Sequence, residues 1–397
     1  MTAGWIKTTL GEAFTTSTGS TPPKSNLDFY GQFMPLVKPP ELCDSTLDSA
    51  EDGLSESGAQ VARTLPPNSI LVSCIGNLGK IGMNTVPVAF NQQINAIHPD
   101  STKAVPEFMF FQTLGGRFRA QLEAMASGTT VPIVNKSKFN SIEIVLPPLP
   151  EQQRIVTLLD EAFDGIATAR ANAEKNLQNA RAIFESHLQS VFTKGGEGWI
   201  KTTLGNATGG VFTGPFGSLL HKSDYVENGL PLVNPAHITD VGIEPDMRKT
   251  VSEATARKLS SYIMRKGDVV IGRRGEMGRC ALVTDIEDGW LCGTGSFYIK
   301  SSPRCDSGYL VRYLRSDACK QRLENIAGGA VMPNLSNTDL SNLIFDLPSV
   351  EMQKSIGDQI DDFATETQRL ESIYQQKLTA LDELKKSLLH RAFNGDL

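Results

Sequence analysis

Two long stretches of the chain carry apolar or small residues in steps of three and four. The first runs through Ile155, Leu159, Ala162, Ile166, Ala169, Ala173, Leu177, Ala180, Phe184, Leu188 and Val191. The second runs through Ile356, Ile360, Phe363, Leu370, Tyr374, Leu378, Leu381, Leu384 and Leu388. This spacing draws one apolar stripe along a helix, with doubled steps of four acting as stutters in a heptad. Gly165 interrupts the first run, and Gly357 stands only in the opening turn of the second. A helix of about 40 residues reaches about 60 Å and is stabilised mainly by packing one face on a partner. The economical partner for each helix is the other, which predicts an antiparallel coiled coil; the alternative is that each packs on its own domain.

The segments between differ in kind. Short apolar runs bounded by Gly, Pro, Ser, Thr and Asn predict strands at Ser69–Ser73, Ile142–Leu146, Asp268–Ile271 and Leu343–Leu347. Phe108–Leu122 and Tyr309–Leu323 read as helices. Each segment is therefore an α+β domain of about 150 residues, large enough for its own core.

The two halves repeat one another. Gly4-Trp-Ile-Lys-Thr-Thr-Leu-Gly11 returns letter for letter at Gly198 to Gly205. The strand and Gly-x-x-Gly turn of Asn68 to Lys80 match Gly267 to Arg279, and Ser127 to Asn135 match Gly328 to Ser336. Leu146 to Ile155 match Leu347 to Ile356. A repeat of this length means two related domains rather than an array of small units. The expected layout is a domain at 1–149, a helix at 150–196, a second domain at 197–349 and a second helix at 350–397. Such a pseudo-dimer suits a target with two related but unequal halves.

Composition narrows the function. No early segment is patterned as a signal peptide, and no apolar run is long enough to cross a membrane. Cys43, Cys74, Cys280, Cys292, Cys305 and Cys319 are scattered without a C-x-x-C pair, which suits free thiols in a reducing cytoplasm. The net charge of −6 describes solubility and steering rather than a site. Arg265, Lys266, Arg273, Arg274 and Arg279 form a local basic stretch around the second Gly-x-x-Gly turn. It is an adequate phosphate footprint, or else a solvated strand edge.

Catalytic chemistry is not legible. His98, His187, His221, His237 and His390 are far apart and fit no metal motif. Cys74-Ile-Gly-Asn-Leu-Gly-Lys80 lacks the glycine and the hydroxyl residue that a phosphate loop needs. Gly209 to Gly217 is Gly-rich without a clear strand–loop–helix context. Asn234-Pro-Ala-His237 lacks the aromatic of the adenine-methyltransferase signature and reads as a turn.

The whole chain resembles the specificity subunit of a type I restriction–modification enzyme. The resemblance rests on the two-fold repeat and on Trp5-Ile-Lys-Thr-Thr-Leu-Gly11, Gly19-Ser-Thr-Pro22 and Asn91-Gln-Gln-Ile-Asn-Ala-Ile97. It rests also on Ser127-Gly-Thr-Thr-Val-Pro132, Leu146-Pro-Pro-Leu-Pro-Glu-Gln152 and the ending Arg391-Ala-Phe-Asn-Gly-Asp-Leu397. The second hinge departs from the pattern, with Glu351 one place early.

The resemblance implies a non-catalytic ruler. Each target-recognition domain would read half of a bipartite, asymmetric site on double-stranded DNA, and the antiparallel helices would set the gap. Two modification subunits would dock on it, carrying S-adenosylmethionine. Restriction subunits, with ATP and Mg, would add translocation and cleavage. No cofactor or metal is expected in this chain. Base readout calls for Arg or Lys to guanine and Asn or Gln to adenine. The turn and loop candidates are Lys38, Asn77, Lys80, Gln92, Asn135 and Lys136 in the first domain. In the second they are Lys222, Arg273, Arg274, Arg279, Asn334 and Asn337. The rival readings are a nucleic-acid enzyme, which would need a catalytic motif, and a partner-only scaffold whose domains bind protein or a non-DNA ligand.

Overall fold

The computed structural model describes residues 4–128, 130–216, 219–328 and 334–397. Thr129 in the Ser127–Pro132 motif, residues 329–333 in its second copy and Gly217 of the Gly-rich segment lie outside the described residues. The chain divides into two compact α+β units, residues 1–175 with 374–397, and residues 176–373. Each unit therefore holds one globular region and a part of both long helices. No described helix is long and apolar enough to cross a membrane.

In the first unit, Thr15–Thr18, Ile94–His98, Ile70–Ser73, Ile81–Asn84 and Ser45–Leu47 form a five-stranded sheet in that order. A second sheet is ordered Gly53–Leu54, Tyr30–Val37, Val88–Phe90 and Thr64–Leu65. The second unit keeps the centre of the first sheet as Val211–Thr213, Ser296–Ile299, Val269–Gly272 and Cys280–Leu282. The shared opening motif pairs with the strand before the hinge in both copies, Ile6 opposite Leu146 and Ile200 opposite Leu347. Ile70–Ser73 and Val269–Gly272 are buried at every position, as strands covered on both faces are.

Neither predicted medium helix is continuous. The first splits into Pro106–Leu114 and Gly116–Ala124, the second into Ser307–Arg315 and Asp317–Ile326. Gly115 and Ser316 both take φ −65° and ψ 145°, an extended step that ends one helix and begins the next. Ser316 also accepts a capping hydrogen bond from the Cys319 N–H. The apolar spacing runs straight across the break and conceals it.

The long helices are Leu149–Lys194 and Val350–Asn394. Every stripe residue of the first is buried or half-buried. In the second, Leu370 and Leu384 are exposed instead, while Thr367 and Leu389 are buried. The packed positions follow the alternation of three and four, not every leucine. In the first unit Arg170 pairs with Asp382, and the Lys385 ammonium lies 4.9 Å from the Phe163 ring centroid. In the second, Arg181 Nε is 2.9 Å from Glu371 Oε1, and the Phe184 and Phe363 ring centroids are 5.9 Å apart. Partner numbers fall as residue numbers rise, so the helices pack antiparallel.

Candidate nucleic-acid interface

Strand direction gathers several loops at one end of each sheet. In the first unit Tyr30–Val37 and Val88–Phe90 run parallel, Val37 beside Phe90, so Lys38 and Asn91–Gln93 emerge together. The strand Ile94–His98 starts there and its antiparallel neighbour Ile70–Ser73 ends there. The Cys74 N–H donates to the Gln93 carbonyl at 2.8 Å, and the Thr21 hydroxyl donates to Gln92 Oε1 at 3.0 Å. The turn after Ser73 is then tied to a loop more than fifty residues later. Gly76 N–H donates to Pro132 O at 3.0 Å and Val134 N–H to Cys74 O at 2.8 Å.

The turn explains its own glycines. Gly76 and Gly79 sit at φ 77° and 73°, and Gly275 and Gly278 at 81° and 77°. This is the left-handed region that favours residues without a Cβ. The Gly-x-x-Gly spacing is therefore a backbone requirement, and the segment is a strand-to-strand turn.

Lys38, Asn77, Lys80, Gln92 and Asn135 all fall on this sheet end. Lys38 is half-buried and pairs with Asp52, whose hydrogen bond raises the ammonium pKa. Asn77 and Gln92 are exposed. The Lys80 N–H donates to Ser73 Oγ at 2.9 Å. Asn135 caps the short helix Lys136–Asn140 by accepting from the Lys138 N–H. Lys136 is exposed, and its charge helps to lower the pKa of His98, the last residue of the strand Ile94–His98.

The second unit repeats the assembly. Gly293 N–H donates to Val233 O at 2.8 Å, Arg273 N–H to Gly295 O at 3.0 Å and Leu335 N–H to Arg273 O at 2.9 Å. Arg273, Arg274 and Asn334 meet there, each arginine donating its Nε–H to Asn334 Oδ1 at 3.3 Å. Arg279 closes the same turn, its carbonyl accepting from the Gly272 N–H at 2.9 Å, while Lys222 and Asn337 lie differently. Lys222 opens a separate 3-10 turn, Lys222–Asp224. Arg279 is 2.7 Å from Glu276. The Asn337 amide donates to Val211 O at 2.8 Å and accepts from the Ser341 hydroxyl.

The basic stretch expected from sequence does not act as one patch. Arg265 and Lys266 precede the strand Val269–Gly272 and pair with Asp288 and Asp285, whereas Arg273 and Arg274 follow it. An extended strand separates its ends by about 3.3 Å per residue, so neighbours in sequence stand at opposite sheet ends. Asn234-Pro-Ala-His237 is a 3-10 turn capped by Asn234, in line with its reading as a turn.

Cys74, Cys280, Cys305 and Cys319 are buried, and desolvation pushes their thiols up to about 12. Such thiols stay protonated and pack as small apolar groups. Among the described residues no group of three or more His, Cys, Asp or Glu is placed to hold a metal ion.

Sequence reasoning missed Arg315 and the hinge glutamines. Arg315 reaches the carbonyls of Cys280, Thr239 and Asp240, bracing the loops beside the second turn. Its basic neighbourhood gave no hint of that. Gln152 and Gln353 did carry a signal, since both hinges repeat the glutamine.

The fold is a duplicated α+β module built on a pair of long helices. The chain belongs to the type I restriction–modification DNA specificity family, whose model matches residues 3–177 and 211–380. It is similar to the HindI specificity subunit of Haemophilus influenzae, 36% identical over 148 residues. That match covers 36% of this chain and 32% of the relative's length. The EcoBI specificity subunit of Escherichia coli is 20% identical over 99% of this chain and 86% of its own. The HsdS subunit from Thermoanaerobacter tengcongensis shares the fold, with TM-score 0.70, 20% identity and coverage of 100% and 98%. A chain from a structure on complex assembly and conformational transition of the type I R-M system reaches 0.77, at 20% identity and coverage of 100% and 99%.

Proposed function

We propose that the domains at 1–149 and 197–349 each read one half of a bipartite, asymmetric DNA site. The helices, at 150–196 and 350–397, set the gap between the halves. The observation that carries this reading is the same loop assembly at one sheet end in both copies, bearing different side chains. Duplicated geometry with unequal chemistry fits two related but unlike half-sites. Recognition helices or loops in successive major grooves stand about 34 Å apart. Helices of 46 and 45 residues follow the two domains, which supports a role for them in setting that gap.

Two modification subunits dock on the same chain. Leu158, Ile183, Met352, Leu370, Ile373 and Leu384 expose apolar surface along the long helices. Ile6 and Ile200, equivalent in the repeat, are each 63% exposed. A surface presented twice suits two copies of one partner. S-adenosylmethionine and adenine N6-methylation belong to those subunits, and ATP and Mg to restriction subunits. The assembly works in the cytoplasm, where the cysteines stay reduced.

The test is a long-read methylation map of DNA from a host without other adenine methylases. This chain and its modification subunit are expressed together and separately. A bipartite N6-methyladenine motif appearing only with both is the expected result. No motif from a complex that co-purifies would overturn DNA reading in favour of a protein scaffold.

A further inference from the structure

Equivalent bridges in the two units carry different chemistry. In the second unit an isolated antiparallel bridge joins Arg274 and Asn334; in the first, the corresponding bridge joins Ile75 and Ile133. Residues directly opposite across such a bridge present their side chains on one face. Asn334 Oδ1 accepts from the Nε–H of both Arg273 and Arg274 at 3.3 Å. One amide oxygen thus holds two guanidinium groups by their inner N–H, leaving the two Nη atoms of each for other acceptors.

The two arginines differ in setting. Arg273 is half-buried, its guanidinium carbon 5.4 Å from the Phe297 ring centroid. Burial, then the charge of Arg274, lowers its pKa. Arg274 is exposed. Among the described residues neither has a carboxylate partner, unlike Arg265, Lys266 and Arg279. Two adjoining cations fixed by a neutral acceptor retain their capacity for an acceptor from outside.

We propose that Arg274, positioned by Asn334 and backed by Arg273, reads a guanine in the half-site taken by the second domain. This rests on the reading of the domains as DNA-binding. Guanine offers O6 and N7 side by side in the major groove, a match to one guanidinium edge. A phosphate can be met from many directions and carries no sequence information, whereas reading a base edge needs the donors held in one orientation. Asn334 supplies that hold. Ile75 and Ile133, at the same place in the first domain, have no side-chain donor, so the guanine contact belongs to one half-site.

The complex of this chain with its modification subunits is mapped by long-read methylation for wild type, Arg274→Ala, Asn334→Ala and Arg274→Lys. The wild-type motif is expected to contain a G·C pair whose discrimination falls roughly 5- to 150-fold in each variant, the range of one bidentate contact. The other half-site and the gap stay unchanged. If Arg274→Ala abolishes all methylation, Asn334→Ala and Arg274→Lys decide. Unchanged preference in Asn334→Ala overturns the positioning role. Unchanged G·C preference in Arg274→Ala overturns base readout in favour of a phosphate contact, and in Arg274→Lys it overturns the need for an oriented planar fork. A wild-type motif without a G·C pair overturns it as well. A wild-type complex that makes no bipartite motif removes the underlying reading, a failure distinct from these.

Discussion

Gln152 and Gln353 make the same three hydrogen bonds in the two copies. Gln152 Oε1 accepts from the Val105 N–H at 2.8 Å, and its Nε2 donates to Lys103 O at 2.9 Å and Pro147 O at 2.8 Å. Gln353 accepts from the Asp306 N–H at 2.6 Å and donates to Arg304 O at 3.0 Å and Pro348 O at 2.8 Å. Both side chains are fully buried. Each clamps the hinge, the first turn of a long helix and the start of a medium helix into one unit. The shifted glutamate of the second hinge leaves this clamp intact. What changes is the surface: Glu151 pairs with Arg154 at 2.8 Å, while the equivalent Met352 is 48% exposed.

Removing either clamp strands several buried backbone groups at once. Gln152→Ala and Gln353→Ala should each destabilise by about 2–4 kcal/mol, since an unsatisfied buried group costs about 1–3 kcal/mol. The urea midpoint, followed by tryptophan fluorescence, measures this. A change of under about 0.5 kcal/mol would contradict the clamp.

Gly165 lies exposed within the first long helix, and a Cβ placed there meets nothing within 4 Å. Gly165→Ala should therefore stabilise the helix by about 1 kcal/mol and raise the thermal midpoint. The contrast is Gly58, where a Cβ would collide with the Phe29 carbonyl oxygen. Gly58→Ala should lower the midpoint.

His98 gives the first unit a pH dependence with a defined sign. Burial, and then the Lys136 charge, lowers its pKa, and its Nε2 is 2.8 Å from Ser17 Oγ. Between the lowered folded pKa and the unfolded value of about 6.5, the unfolded chain binds the extra proton. The contribution is complete above that unfolded value and is lost as pH falls through the folded one. Lys136→Ala should move the His98 titration upward, toward its ordinary value, in an NMR titration. A downward shift would contradict the assigned cause.

Lys80 tests the proposed DNA face of the first domain. If it meets a phosphate, Lys80→Ala in the assembled complex should reduce the slope of log affinity against log salt by about one. The recognised sequence should stay the same. Fluorescence anisotropy over a range of salt concentrations reads the slope, and the methylation map reads the sequence.

Much of the fold was legible because its signals are local. The stripe on the long helices, the strands Ile70–Ser73 and Val269–Gly272, and the paired glycines each reflect a backbone period or a φ requirement within a few residues. The helix breaks at Gly115 and Ser316 were not legible, since apolar spacing is blind to one extended residue. Leu370 and Leu384 look like stripe residues by composition and face outward by geometry.

The sequence by itself determined the duplication, the fold class, the family and the two long helices. Internal identity and heptad spacing are one-dimensional properties. Only the tertiary structure decided which polar side chains share a surface. Arg273 and Arg274 meet Asn334, sixty residues on, through strand register, while Arg265 and Lys266, closer in sequence, are carried to the other end of a strand. Contact across such separations depends on how the sheet closes, and closure depends on the packing of the whole core.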